Sequence, residues 1–262
     1  MTPKKIYYIF GLDEKFSNKE FALYNYLNIK SAHLLNPDYE IEVVFKHNPN
    51  NKYFKKLDTF CKKTQIDKIP QEFNGQKVLC AEHVCGYLRI QYLYNNGGIY
   101  LDTDVLCLKS FDDLLDNKCI MGEEYGRLPS KTEDHLIGLC DAVIMSPKNN
   151  YFLKAWIEDY NNNYKFNSWN YNAVVRPHEL SKNFSDNIKV LSSNYFFKYS
   201  WTHLGFEKLF NQVSNISDSY VAHLWASINN HQLQRYNNLN DSIWDKPSTV
   251  TNEYKKYLEN EM

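Results

Sequence analysis

The run Asn95-Asn96-Gly97-Gly98-Ile99-Tyr100-Leu101-Asp102-Thr103-Asp104-Val105 decides how the rest of the chain is read. Two adjacent glycines end whatever precedes them, because only glycine takes a positive φ without steric cost. Ile99, Tyr100 and Leu101 have high β-propensity and form a short strand, with Tyr100 on the face opposite its two neighbours. At the strand's end stand two carboxylates one residue apart, Asp102 and Asp104. A carboxylate pair at the mouth of a buried strand is a poor structural choice. It is a good ligand set for a hard divalent cation, Mn2+ or Mg2+, which takes its remaining ligands from water and phosphate. The alternative for the pair is a solvated turn.

Outward from that run, residues 81–95 carry Val84, Leu88 and Tyr92 on one stripe with Tyr87, Ile90 and Tyr94 beside it, a helix that feeds the glycine turn. Toward the N-terminus, Ile6-Tyr7-Tyr8-Ile9-Phe10 before Gly11 reads as a buried strand. Residues 20–35 follow at helical spacing, stopped by Asn36-Pro37, and residues 39–45 alternate as a second strand. Strand, helix, strand at this spacing opens a parallel sheet. Residues 53–63 read as a further helix. After the aspartates come strands at 119–122 and 142–145, a polar loop-like stretch at 123–135 between them, and an amphipathic helix at 149–160. From residue 161 the sequence is rich in Asn, Tyr and Ser, with short extended pieces at 189–191 and 195–197 and a last core strand within 219–225. The tail after His231 is polar and charged and carries no periodic signal. The expectation is one α/β domain over 1–262, with a first half to about residue 110, a second half over about 111–230, and a tail at 231–262.

A net charge of −1 with 43% hydrophobic and 23% charged residues describes an ordinary globular chain and argues against nucleic acid as a partner. The 21 Tyr and 5 Trp are many, and such rings fill cores as well as stack on bases and sugars. Cys61, Cys80, Cys85, Cys107, Cys119 and Cys140 show no zinc-type spacing and read as free thiols in a reducing compartment. No run of ~18 apolar residues predicts a transmembrane helix, and Met1-Thr2-Pro3-Lys4-Lys5 leads into a strand without a signal-peptide core. A cytoplasmic chain is expected, with peripheral membrane association open.

The segment from Leu88-Arg89 through Leu93-Tyr94 to Val105 closely resembles the DXD sugar-transferase family that includes yeast initiating α1,6-mannosyltransferase, α1,4-galactosyltransferases and bacterial capsule and lipooligosaccharide transferases (glycosyltransferase family 32). The clostridial toxin glucosyltransferase domains are more distant relatives. Leu35-Asn36-Pro37-Asp38-Tyr39, Val190-Leu191 with Tyr195-Phe196-Phe197 and Trp201, and Ala222-His223-Leu224-Trp225-Ala226-Ser227 resemble further family segments in the same order. The resemblance implies a GT-A fold, a Rossmann-like mixed sheet flanked by helices with a less regular acceptor region. It implies a retaining hexosyl transfer from a nucleotide sugar, a UDP-sugar ahead of GDP-mannose, to a glycan or lipid-linked glycan, with manganese or magnesium. Surface polysaccharide synthesis is the expected setting. A toxin-like protein glycosyltransferase and a catalytically silent nucleotide- or glycan-binding protein are the rivals.

On that reading Asp104 ligates the metal, Asp102 reaches the metal or the ribose, and His223 is a third ligand or else a satisfied core histidine. Arg89 binds diphosphate or sugar hydroxyls, or forms a structural ion pair. Phe10 and Gly11 lie where relatives let the backbone approach the base. Tyr100, Trp225 and Ser227 line the donor pocket, with core roles open for Tyr100 and Trp225. Asp141, opening the 142–145 strand, stabilises the oxocarbenium ion, attacks it, or is merely a turn residue. One position departs: relatives carry an Asp three residues before the arginine, binding the donor sugar, and this chain has Gly86. Either the pocket admits a bulkier sugar or another carboxylate substitutes, with Glu82 one turn earlier as the candidate. Acceptor contacts are expected from about 164–204, where Trp169, Arg176, His178 and Trp201 stand out.

Overall fold

In the computed structural model, residues 1–13, 20–126 and 134–258 are described. The elements in chain order are β1 (Lys5–Phe10), α1 (Leu23–Leu35), β2 (Glu40–Phe45), α2 (Lys52–Lys56), β3 (Lys62–Gln65), a small hairpin of β4 (Glu72–Phe73) and β5 (Gln76–Lys77), α3 (Ala81–Asn96), β6 (Gly98–Leu101) and β7 (Val105–Cys107). Then come β8 (Cys119–Gly126), β9 (His135–Ser146), α4 (Tyr151–Asn163), α5 (Arg176–Ser181), β10 (Ile188–Leu191), α6 (His203–Phe206), β11 (Val221–His223), α7 (Ala226–Arg235) and α8 (Thr249–Lys255). No helix among the described residues is long and apolar enough to cross a membrane.

Seven strands form one sheet in the order β10-β8-β9-β6-β1-β2-β3. β1 runs parallel to β2 and β6, β2 parallel to β3, and β9 lies antiparallel between β6 and β8. This is the expected α/β mixed sheet with helices on both faces. Side-chain alternation along β1 sends Ile6 and Tyr8 into one core with α1, and Tyr7 and Ile9 into the other with α3 and α4. Burial on both faces explains why β1 reads as a continuous apolar run.

The glycine pair does what its sequence demands. Gly97 closes α3 with φ 68° and donates its N–H to Leu93 O, and Gly98 has φ 117°. A Cβ on Gly97 would sit 2.7 Å from Pro3 Cδ, and one on Gly98 2.7 Å from Lys5 O. The chain enters β6 beside β1 with no room for side chains at these two positions.

Several expectations shift. The helix expected at 53–63 stops at Lys56, and residues 62–65 instead pair with β2 as an edge strand. Lys62-Lys63-Thr64-Gln65 has no apolar alternation, so only the open edge of β2 reveals it. The 142–145 strand is the end of a 12-residue strand, so Asp141 lies inside β9 rather than opening it. Of the polar stretch 123–135, residues 127–133 lie outside the described ones, while residues 123–126 extend β8. The tail is structured as far as residue 258: Tyr236, Trp244 and Tyr254 pack mutually edge-on or tilted inside the core. Its aromatics are spaced too widely to show a helical period.

Candidate active site

Two aspartates and a histidine meet where β6 ends. β7 pairs antiparallel with β11, and the register His223↔Val105 delivers a residue from far along the chain to the Asp102–Asp104 turn. His223 Nε2 lies 3.4 Å from Asp104 Oδ2. One ligand atom from each of Asp102, Asp104 and His223 falls within 4.8 Å of the others. Asp104 Oδ2 also accepts from the Ala226 N–H at 2.7 Å, the start of α7, and Asp104 O accepts from Leu224 N at 3.0 Å. Burial pushes the Asp104 carboxyl up, but the His223 imidazole and the Ala226 N–H more than offset it, so it is held below its usual range. Burial pushes His223 down while Asp104, Asp102 and Glu124 together pull it above an ordinary imidazole. His223 Nδ1 is buried with no partner. Two carboxylates and an imidazole are a donor set that fits a divalent cation, with the nitrogen favouring manganese over magnesium.

Arg89 comes up from α3 behind this cluster, 5% exposed. Its guanidinium lies 3.1 Å from Asp102 Oδ1 and 3.1 Å from Asp141 Oδ2, donates to Asp141 O at 2.7 Å, and stacks 4.3 Å from the Tyr100 ring centre. In the structure the guanidinium has both carboxylates as partners. Tyr100 is buried and donates its hydroxyl to Asp102 Oδ1 at 2.6 Å. Asp141 is aimed here by an irregularity in the β8–β9 ladder: Met121 opposes Ile144, but the next residue, Gly122, opposes Cys140. Burial raises the Asp141 carboxyl to about 7 against the lowering pull of Arg89.

Phe10, Gly11 and Glu82 line an opening that reaches Thr103, between the two aspartates. A cleft of about 200 Å³ lies between the end of β1 and the first turns of α3, bounded by Phe10, Gly11, Leu12, Glu82, Cys85 and Thr103. Trp225 sits at the other side with a left-handed backbone, φ 56°. Its ring is buried 3.9 Å from the His223 ring centre, and its Nε1–H donates to Tyr199 O at 3.0 Å. Ser227 is exposed on the first turn of α7.

Residues 24–121 match the family described as the glycosyltransferase sugar-binding region containing the DXD motif. That span holds α1, α3, β6 and both aspartates of the turn. Over that span the chain is similar to the DXD-type glycosyltransferases. A curated relative, glucan organizing enzyme 1 of Cryptococcus neoformans var. grubii, is 27% identical over 236 residues. The match covers 87% of the present chain and 63% of that relative, so the chain spans under two thirds of its length. Among solved structures, the glycosyltransferase GlyE of Streptococcus pneumoniae superposes with a TM-score of 0.48 at 13% identity, over 98% of this chain and 60% of that one. The galactosyltransferase LgtC, in complex with donor and acceptor sugar analogues, gives 0.43 at 14% identity over 97% and 95%. At that level of superposition neither adds to what the sheet topology already says.

Gly86 has a physical explanation. A Cβ there would lie 2.5 Å from the Tyr160 hydroxyl and 3.5 Å from Asp141 Oδ2. The ring of Tyr160, from α4, fills the space that a side chain at 86 would take. The carboxylate against this position comes from Asp141 on β9, whereas Glu82 is exposed and lines the cleft beside Phe10 and Gly11. The Tyr160 hydroxyl is buried without a hydrogen-bond partner. Gly86→Ala is expected to lower stability by roughly 1–2 kcal/mol, because overpacking outweighs the better helix propensity of alanine. Tyr160→Phe removes the clashing oxygen, so Gly86→Ala/Tyr160→Phe should recover that loss. Urea unfolding of the four proteins checks it; additive costs would sink the packing account.

Glu124 was not anticipated. It lies on β8, 4% exposed, and accepts from Trp201 Nε1 at 3.1 Å. Burial raises its carboxyl, with Trp201, Cys140 and His223 pulling the other way. Gly126 makes room for the indole, since a Cβ there would meet Trp201 Cζ2. The sequence signal available was a carboxylate two residues before a glycine at the end of an apolar strand. Arg176, another expected acceptor contact, is tied to Asp159 and Glu179; Trp169 is exposed.

Proposed function

We propose that this protein is a glycosyltransferase that moves a hexose from a nucleotide sugar to a glycan acceptor with retention of configuration, using Mn2+ or Mg2+. UDP-sugars come ahead of GDP-mannose among the donors. The observation that carries the reading is the β7–β11 pairing, which sets His223 3.4 Å from Asp104 beside Asp102. A cation held there would act as a Lewis acid on the leaving diphosphate.

The chain's own groups have distinct tasks in this proposal. Asp102, Asp104 and His223 supply oxygen and nitrogen donors. Arg89 holds Asp102 and Asp141 at fixed separation and so pre-organises both. The cleft at Phe10, Gly11 and Glu82 receives the nucleoside, and Ser227 with the first turn of α7 closes the donor side. Asp141 faces the reacting sugar and stabilises positive charge on its anomeric carbon. The departing phosphate oxygen accepts the acceptor's proton on the same face. Residues to about 110 serve the donor and those from about 111 to 230 the acceptor.

The test is hydrolysis and transfer from a panel of UDP-hexoses and GDP-mannose, with and without Mn2+. Turnover of at least one donor that stops with chelator and returns with Mn2+ is expected. Nucleoside-diphosphate binding without turnover of any donor would instead support a silent binding protein.

A further inference from the structure

The Asp102–Asp104 turn is held from behind by side chains of a helix that the proposed chemistry does not use. On α1, Asn25, Asn28 and Ser31 recur at every third residue, and all three are buried. Buried amides and hydroxyls are costly unless hydrogen-bonded. Here their partners are one stretch of backbone. Asn25 Nδ2 and Asn28 Nδ2 both donate to Thr103 O, at 3.2 and 2.9 Å, on the residue between the two aspartates. Ser31 Oγ accepts from Cys107 N at 2.9 Å, on the edge of β7 that β11 leaves free. Asn36 Oδ1 continues the row by accepting from Phe111 N at 2.9 Å.

The row is itself braced by the C-terminal helix. Tyr254 on α8 donates its hydroxyl to Asn28 Oδ1 at 3.1 Å, and the Tyr257 hydroxyl reaches Cys107 O at 3.4 Å. Asn28 is 0% exposed and Tyr254 0% exposed, so neither bond competes with water. With its oxygen occupied by Tyr254, the Asn28 amide can present only its NH2 group to Thr103. The amide orientation is thereby fixed from a residue 226 positions away.

We infer that Asn25, Asn28 and Tyr254 are positioning residues for divalent-cation binding, a splint that fixes the Thr103 peptide so that Asp102 and Asp104 point at one ion. This rests on the proposed function for the identity of the ion. Thr103 O has two donors, so its peptide plane cannot rotate without breaking both bonds. Rotation of that plane would swing the Asp104 carboxylate away from His223. Groups that orient metal ligands typically change affinity by about 10–100-fold when removed.

The experiment uses the full chain with Asn28→Leu, Tyr254→Phe and, as a control, Phe152→Leu, a buried residue in the core on the opposite face of the sheet. Mn2+ affinity is read from the free-ion paramagnetic signal, and amide hydrogen exchange of residues 103–107 is read without metal. The expected result is about tenfold weaker Mn2+ binding for Asn28→Leu, a smaller change in the same direction for Tyr254→Phe, and faster exchange at these amides in both. Phe152→Leu should lower the melting temperature and leave both readouts unmoved. If Asn28→Leu fails to fold, Tyr254→Phe, which loses only a hydroxyl, decides. Wild-type affinity and wild-type exchange in a folded Tyr254→Phe or Asn28→Leu protein would overturn the splint. If the wild type binds no Mn2+, the proposed function is what fails, and the exchange readout alone judges the splint.

Discussion

Asp104→Asn is expected to cut Mn2+-dependent donor turnover by about a thousandfold while leaving the fold intact. The substitution keeps an oxygen to accept the Ala226 N–H, so the start of α7 is undisturbed. What goes is the charge. A cation bridging to a diphosphate is worth several kcal/mol of charge stabilisation, and a thousandfold is roughly 4 kcal/mol at ~1.4 kcal/mol per decade. Asn oxygen is a weaker ligand for a hard cation than carboxylate, so Mn2+ binding should fall out of the measurable range by calorimetry. The melting temperature should fall only modestly, since burial favours the neutral His223 imidazole once the Asp104 charge is gone, and no buried charge is then left stranded. Asp102→Asn is the milder companion, because Arg89 and Tyr100 already engage that carboxylate. An Asp104→Asn protein that still binds Mn2+ as the wild type does would remove the basis of the metal assignment.

The legible part of this molecule is the part whose causes are local. Gly97 and Gly98 announce the turn because each needs a positive φ, and the strand after them is set by Ile99, Tyr100 and Leu101 alone. Tyr100 could be placed opposite its neighbours from period two, and it is. The proximity of His223 to Asp104 depends on a strand pairing across 118 residues and was accessible only through the family resemblance. Asn25, Asn28 and Ser31 do show a three-residue spacing in the sequence, but a polar row on a helix ordinarily faces solvent. Only the tertiary structure turns it inward, toward a segment of backbone with unpaired groups. Glu124 was hidden for the same reason: Glu123 and Glu124 together read as the edge of a polar loop. Its burial is imposed by Trp201, 77 residues later. Lys62–Gln65 became a strand because the edge of β2 offered it hydrogen bonds, a cause that lies outside its own residues.

Arg89→Leu should destabilise the protein by about 3–5 kcal/mol, the cost of leaving buried charge without its partner. Asp102 and Asp141 both rest on this one guanidinium, at 3.1 Å each, and a third bond reaches Asp141 O at 2.7 Å. A leucine fills much of the volume but leaves the buried Asp141 and the partly buried Asp102 without their counter-charge, and Asp141 must then take up a proton or drag water inward. Arg89→Lys should cost less than Leu and more than nothing, because a single ammonium cannot reach both carboxylates and the carbonyl in the planar geometry of a guanidinium. The decisive comparison is Arg89→Leu/Asp141→Asn. Removing one of the stranded charges should return a substantial part of the lost stability in urea unfolding, a coupling that independent sites would not show. The effect of Mn2+ sharpens it. A cation beside Asp102 partly replaces the missing positive charge, so added Mn2+ should raise the melting temperature of Arg89→Leu by more than that of the wild type. If Arg89→Leu unfolds at the wild-type urea midpoint, the guanidinium is not the hub that holds these carboxylates. Its expected contact with the donor diphosphate would then become the better account of why an arginine stands inside this core.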